Sequence, residues 1–360
     1  MTKSINMIQV IMIIMTSVGL FNHVILIPVI LDISGRDAWV STCLTVIPFM
    51  AWIGIIYWIM KRSSQQPLLE WVREVAGRSV AWILRLALFI CYMFVVLITV
   101  KDTVTWAASS YLPETPIIFL GLLLICLCYF SARSGINSIA ITAGILLPFV
   151  VILGFFVMSA NIQNKDYSRL LPILEYGLDP LLRGMIYAGS GFSELFVILM
   201  FQHHISHKMK WWQLVILGLI ITILTLGPIT GSIAEFGPVE SAKHRYPAFE
   251  QWRLVVIHQY IERVDFFSIY QWFSGAFVRV SLSMYILGEL SPFKGKTNKS
   301  IFLMLLSVFI LFITCLPIGD IVFYDWLKYI YLPYSLIGYL LLTCILCVVA
   351  FMTKKRRTSA

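Results

Sequence analysis

Ten stretches of this chain stay apolar over bilayer-crossing lengths: residues 5–31, 39–60, 82–110, 116–131, 138–160, 182–204, 211–233, 266–288, 300–318 and 329–352. About 20 apolar residues in a helix cross the hydrocarbon core of a membrane. In a chain of 360 residues, ten passes with short connections leave no space for a sizeable extramembrane domain. The composition agrees, with 12% charged residues and a mean hydropathy of +0.88, where soluble domains carry about 25% charged residues. The expected fold class is an all-α integral membrane protein of about ten transmembrane helices, with residues 1–360 forming one membrane domain. A soluble enzyme, a disordered tail and a secreted disulfide scaffold are excluded.

The net charge of +9 would suggest a nucleic-acid partner in a soluble chain, but here the charges follow the bilayer. Alternate connections carry Lys3, Lys61, Arg62, Arg73, Arg78, Arg85, Arg133, Lys208, Lys210, Lys294, Lys296, Lys299 and Lys354 to Arg357, with Glu70, Glu74 and Glu289 as their only acids. The other connections carry nine basic and 13 acidic residues. The positive-inside bias then places both termini in the cytoplasm, as an even number of passes requires. Residues 1–6 lead into the first run without a small-residue cleavage site, which reads as an uncleaved first span. Residues 67–79 read as an interfacial helix on the basic side, and residues 246–263 as an amphipathic helix on the other. The seven cysteines lie in apolar runs and read as packing residues; neither Cys126/Cys128 nor Cys344/Cys347 has a second pair to complete a zinc site. No metal and no cofactor are expected.

Irregular backbone inside a bilayer survives only where it faces protein or a cavity, so helix breakers at mid-span are the sharpest functional signal. The first span has Ser17-Val18-Gly19-Leu20-Phe21-Asn22 near its midpoint and Pro28 beyond; the sixth has Gly189-Ser190-Gly191-Phe192-Ser193-Glu194. Five spans are an odd number, so two five-helix halves (about 5–160 and 182–352) must be inverted. Breaks at equivalent positions of inverted halves point to a substrate site at their interface. Half-helix N-termini suit a carboxylate and freed carbonyls suit an ammonium, so a zwitterion such as an amino acid fits. The alternative is that these glycines only permit close helix packing.

Four charges fall within spans: Lys101, Asp102, Glu194 and Arg279. Intramembrane charge is expensive and functional by default. Glu194 and Arg279 share mid-depth and are expected to pair, either to fix register or to serve a ligand. Lys101 and Asp102 lie closer to the surface and can snorkel or contact a ligand. Ser274, Ser281 and Ser283 could hold a coupling cation, although serines in membrane helices more often bond to backbone. His203, His204 and His207 read as a solvated loop, and no nucleophile or cofactor motif accompanies them.

Several short motifs resemble one known family. They are Gly35-Arg36-Asp37-Ala38-Trp39, Ala132-Arg133-Ser134-Gly135-Ile136-Asn137, Phe201-Gln202-His203, Tyr246-Pro247-Ala248-Phe249-Glu250 with Arg253-Leu254-Val255 and Glu262-Arg263-Val264-Asp265, and Gln271-Trp272-Phe273. Together they are similar to the spore germination permeases, the B subunits of bacterial endospore germinant receptors. The resemblance implies the amino-acid, polyamine and organocation transporter superfamily, with a leucine-transporter-like 5+5 inverted repeat and broken helices 1 and 6. It implies residence in the spore inner membrane beside a membrane A subunit and a lipoprotein C subunit, and recognition of a small nutrient, often an amino acid. Carried over by position, the ligand pocket falls on Ser17, Val18, Gly19, Leu20, Leu97, Val100, Lys101, Gly189, Ser190, Gly191, Phe192, Phe277 and Ser281. The function so implied is nutrient sensing and signalling to partners, and the alternative is a cation-coupled amino-acid transporter.

Overall fold

A computed structural model describes residues 5–256, 263–293 and 295–353. Lys3, Lys294, Glu262 and residues 354–357 of the sequence reading lie outside these. Among the described residues, eight helical runs are long and apolar enough to cross a membrane. The first, Met7–Arg62, folds back at Gly35–Asp37 and so supplies two passes. With the 24-residue helix Phe267–Leu290, ten passes stand among the described residues. The protein is thus an all-α integral membrane protein.

The passes begin and end where local chemistry dictates. Asn6 opens the first span through a capping box with Gln9, each side chain bonded to the other residue's backbone N–H at 2.9 Å. The fourth and fifth spans, Ile117–Ser134 and Ile136–Ala160, are separated by Gly135 alone. Its φ of +94° is a conformation that a side chain disfavours, which explains the glycine in the Ala132 to Asn137 motif. A helix expected within residues 67–79 is present as Leu68–Ala76, with Leu68, Trp71 and Val72 turned inward. The stretch read as one amphipathic helix over 246–263 forms a short helix, Pro247–Arg253; residues 257–262 are outside the described set.

The first and sixth spans occupy the centre. In the runs Met7–Arg62 and Leu178–His204, 78% of the most apolar window is buried in protein, against 22% for Ile136–Ala160 and Lys296–Thr314, which face outward. The eighth span packs on the first, third, fourth and fifth. Helix association in lipid depends on close packing more than on hydrophobic transfer, and glycines make that approach possible. A Cβ on Gly275 would lie 2.7 Å from the Cβ of Leu20, and one on Gly184 would lie 2.0 Å from Ser34 Oγ.

Both faces are tied by loop contacts from the family-like motifs. On the acidic face, Asp37 Oδ1 accepts from Leu174 N–H at 2.9 Å, Arg36 meets Glu175 at 3.1 Å, and Trp39 Nε1 donates to the Leu170 carbonyl at 3.4 Å. On the basic face, Gln202 Nε2 donates to Ser63 Oγ at 3.2 Å and the Gln66 carbonyl at 2.9 Å, while Ile5 pairs with Ile205. Because Leu20 Cβ has no freedom to rotate away, Gly275→Ala should force the first and eighth helices apart. The expected loss is about 1–3 kcal/mol, readable as a lowered Tm of the detergent-purified protein.

Candidate functional site

The first and sixth spans both leave α geometry midway. In the first, helix Met7–Leu20 gives way to a π turn over Phe21–Leu26 before helix Ile27–Ser34. Pro28 is the cause we assign: it has no N–H for the Val24 carbonyl and its ring crowds that carbonyl, which the wider turn relieves. In the sixth, helix Leu178–Ser193 tightens into a 3₁₀ turn over Glu194–Phe196, then resumes as Val197–Phe201. The irregular turns thus fall later in sequence than expected, since Ser17–Leu20 and Gly189–Phe192 themselves are regular helix.

What Gly191 provides is proximity. A Cβ there would lie 2.3 Å from both Asn22 Oδ1 and Leu26 Cδ2, so the sixth helix touches the π turn of the first at this point. Asn22 is fully buried, yet among the described residues neither its Nδ2 nor its Oδ1 has a hydrogen-bond partner. A buried amide without partners is rare and costly. Phe192 closes one side, its ring 4.8 Å from that of Phe49.

The expected ion pair forms at the adjoining turn. Arg279 embraces Glu194 with both terminal nitrogens, Nη2 donating to Oε1 at 2.7 Å and Nη1 to Oε2. Its Nε donates to Thr99 Oγ1 at 2.9 Å, Nη1 also reaches the Ser17 carbonyl at 3.4 Å, and the guanidinium lies 4.5 Å over the Phe21 ring. One side chain therefore links the first, third, sixth and eighth spans.

The other intramembrane charges are drawn elsewhere. Lys101 Nζ donates to the carbonyls of Thr314 and Leu316, each at 3.1 Å, and so caps the end of the ninth span. Asp102 Oδ1 accepts from Arg245 Nη2 at 2.6 Å, and Arg245 also meets Asp320 Oδ2 at 3.2 Å. Burial disfavours the Arg245 charge, but Asp102, Tyr246 and Asp320 outweigh it and hold the guanidinium above its ordinary pKa.

The profile of the family described as "Spore germination protein" matches residues 4–320. The chain is 42% identical to spore germination protein XB of Bacillus anthracis, over 98% of this chain and 99% of the relative.

This chain belongs to the spore germination protein family.

It is also 24% identical to spore germination protein KB of Bacillus subtilis (strain 168), over 91% of this chain and 90% of that one. Among solved structures, the crystal structure of MhsT in complex with L-phenylalanine has the same fold, with TM-score 0.64, 10% identity, and coverage of 98% of this chain and 100% of that one. The spore germination protein is therefore leucine-transporter-like in fold.

Val18 and Val100 are buried in the core, Gly19 lies against Leu224, Leu20 against Gly275, and Gly189 against Leu336 and Thr45. Leu97 and Phe277 are partly buried beside the core, and the Phe277 carbonyl accepts from Cys128 Sγ at 3.7 Å. Ser190 Oγ bonds back to the Tyr187 carbonyl at 2.7 Å, and Ser281 is fully buried. His203 and His204 have rings 4.0 Å apart, and His204 Nε2 meets the Tyr285 hydroxyl at 2.8 Å. Sequence reasoning missed Asn22, Thr99 and Phe21 as site residues. Asn22 carried a signal, being an amide inside an apolar run.

The pair predicts non-additive energetics. Glu194→Gln alone leaves a buried guanidinium without counter-charge and should cost about 3–5 kcal/mol. Adding Arg279→Met should recover much of that loss. Thermal unfolding of the two single variants and the double variant forms the cycle; additive losses would mean the residues act independently.

Proposed function

We propose that this protein is the nutrient germinant-sensing membrane subunit of a spore germinant receptor. It sits in the spore inner membrane with both termini cytoplasmic, a topology supported by ten passes and by basic residues concentrated on one face. It binds a small nutrient, an amino acid first of all, at mid-membrane between the first and sixth spans. The bound form signals to a membrane A subunit and a lipoprotein C subunit.

One observation carries the reading: the amide of Asn22, without a partner among the described residues, is buried at the π turn and held against Gly191. An amide offers two donors and an acceptor with two lone pairs, which a polar ligand group can complete. Family membership supports a role in germination, and the likeness to a fold solved with L-phenylalanine supports an amino acid as the first ligand class to test. That same likeness favours one alternative, cation-coupled amino-acid transport.

The test is nutrient-triggered loss of refractility in spores whose only intact receptor operon contains this gene. Deletion should abolish the response to at least one amino acid. Gly191→Leu, whose side chain displaces Asn22, should abolish it with membrane abundance unchanged. Asn22→Leu should raise the half-maximal nutrient concentration about tenfold or more, the factor given by about 1.4 kcal/mol of lost binding. Normal germination with reduced vegetative amino-acid uptake would favour the transporter instead.

A further inference from the structure

A second set of buried polar groups lies toward the acidic face, away from Asn22. Asp102 and Trp106 stand one turn apart on the third span, and both are fully buried. Trp272 of the eighth span stacks on Trp106, with ring centroids 3.9 Å apart and planes 7° from parallel. Tyr246 meets Trp272 edge-on at 5.2 Å, and the Arg245 guanidinium lies 4.5 Å over the Tyr246 ring while bonding to Asp102. These five side chains form one continuous group, drawn from two spans and the loop between the seventh and eighth.

Each of the five carries a buried polar atom that no partner satisfies among the described residues. They are Asp102 Oδ2, Arg245 Nη1, the Tyr246 hydroxyl and the indole N–H groups of Trp106 and Trp272. Natural proteins leave few such atoms, and those they leave call for an explanation. The set comprises three N–H donors, one hydroxyl and one carboxylate oxygen.

That composition selects among ligands. An inorganic anion would be drawn to the donors but repelled by Asp102. A metal or other simple cation would be drawn to Asp102 but repelled by Arg245. A neutral sugar would use neither charge. A zwitterion uses both, its carboxylate accepting from Arg245 and the indoles, its ammonium donating to Asp102 beside aromatic rings.

We propose that Asp102, Trp106, Arg245, Tyr246 and Trp272 form a second ligand site, for a zwitterionic α-amino acid, distinct from the mid-membrane site at Asn22. Because Arg245 and Tyr246 belong to the loop and the tryptophans to the spans, an amino acid bound here joins the loop to the third and eighth helices. Its occupancy bears directly on the loop that covers this face.

The test uses the full-length protein in lipid nanodiscs, titrated by calorimetry with each of the twenty standard amino acids and then in detail with the tightest binder. Wild type should bind two equivalents, Gly191→Leu one, and Gly191→Leu with Asp102→Asn none. Trp272→Phe keeps the ring stack and removes one donor, so it should weaken only the outer class, by about tenfold, as loss of a charge-assisted hydrogen bond does. It also serves if Asp102→Asn fails to fold. One equivalent that survives Gly191→Leu and is lost in Asp102→Asn would uphold this site and remove the mid-membrane reading. One equivalent lost in Gly191→Leu and unchanged in Asp102→Asn and Trp272→Phe would overturn the second site. So would the absence of amino-acid binding throughout, with buried water then satisfying the five atoms.

Discussion

The contact on which the rest of this membrane domain depends is the bidentate pairing of Arg279 with Glu194. Neither charge is tolerable alone at that depth, and a bilayer supplies no water to relieve either. The pairing fixes more than two residues, because the guanidinium has five N–H donors in a rigid fork. After two are spent on Glu194, two of the remaining three reach Thr99 Oγ1 and the Ser17 carbonyl. The face of the group rests on Phe21, the first residue of the π turn. Both helix irregularities thus abut one guanidinium: the π turn beneath it and the 3₁₀ turn that opens at Glu194 itself. A lysine could match the charge but not this set of directions.

Around that centre, the two faces are closed by different chemistry. The acidic face relies on charge and aromatic rings, with Arg245 between Asp102 and Asp320 and Lys328 on Asp32 at 2.6 Å. The basic face relies on neutral amides, chiefly Gln202 and Gln65, with Gln65 Oε1 accepting from Met209 N–H at 3.0 Å. Ion pairs near a surface weaken with salt and amide bonds much less so. The two faces therefore respond to different solution conditions, although a single rigid centre separates them.

The spans were legible because hydrophobic run length is a direct consequence of bilayer thickness, and their edges agree to within a few residues. The tenth is the exception: it begins at Asp320, well before residue 329, because Asp320, Asp325 and Lys328 interrupt its apolar character. The Glu194–Arg279 pair was legible for the same reason, since two opposite charges at one depth have little choice. Lys101 was not, because its partners are backbone carbonyls, which leave no mark in sequence. Arg245 was not, because Asp102 is 143 positions away, with four spans between the two residues. The glycines of the sixth span misled in an instructive way: Gly191 marks a close approach to Asn22, while the turn itself begins at Glu194.

The unsatisfied amide of Asn22 gives the proposed sensing a physical basis. Leaving a buried polar group unpaired costs about 1–3 kcal/mol, and among the described residues no side chain or backbone group relieves that cost for Asn22 at the junction of the two irregular helices. A ligand that completes the amide removes the penalty only in arrangements where Asn22 and Gly191 are in register. It therefore binds those arrangements more tightly than others, and differential affinity is the only means by which a ligand can shift a conformational equilibrium. A penalty of this size corresponds to a population change of about 5- to 150-fold, the range typical of allosteric coupling. Filling the same space with an apolar side chain would stabilise the centre and leave nothing for a ligand to change.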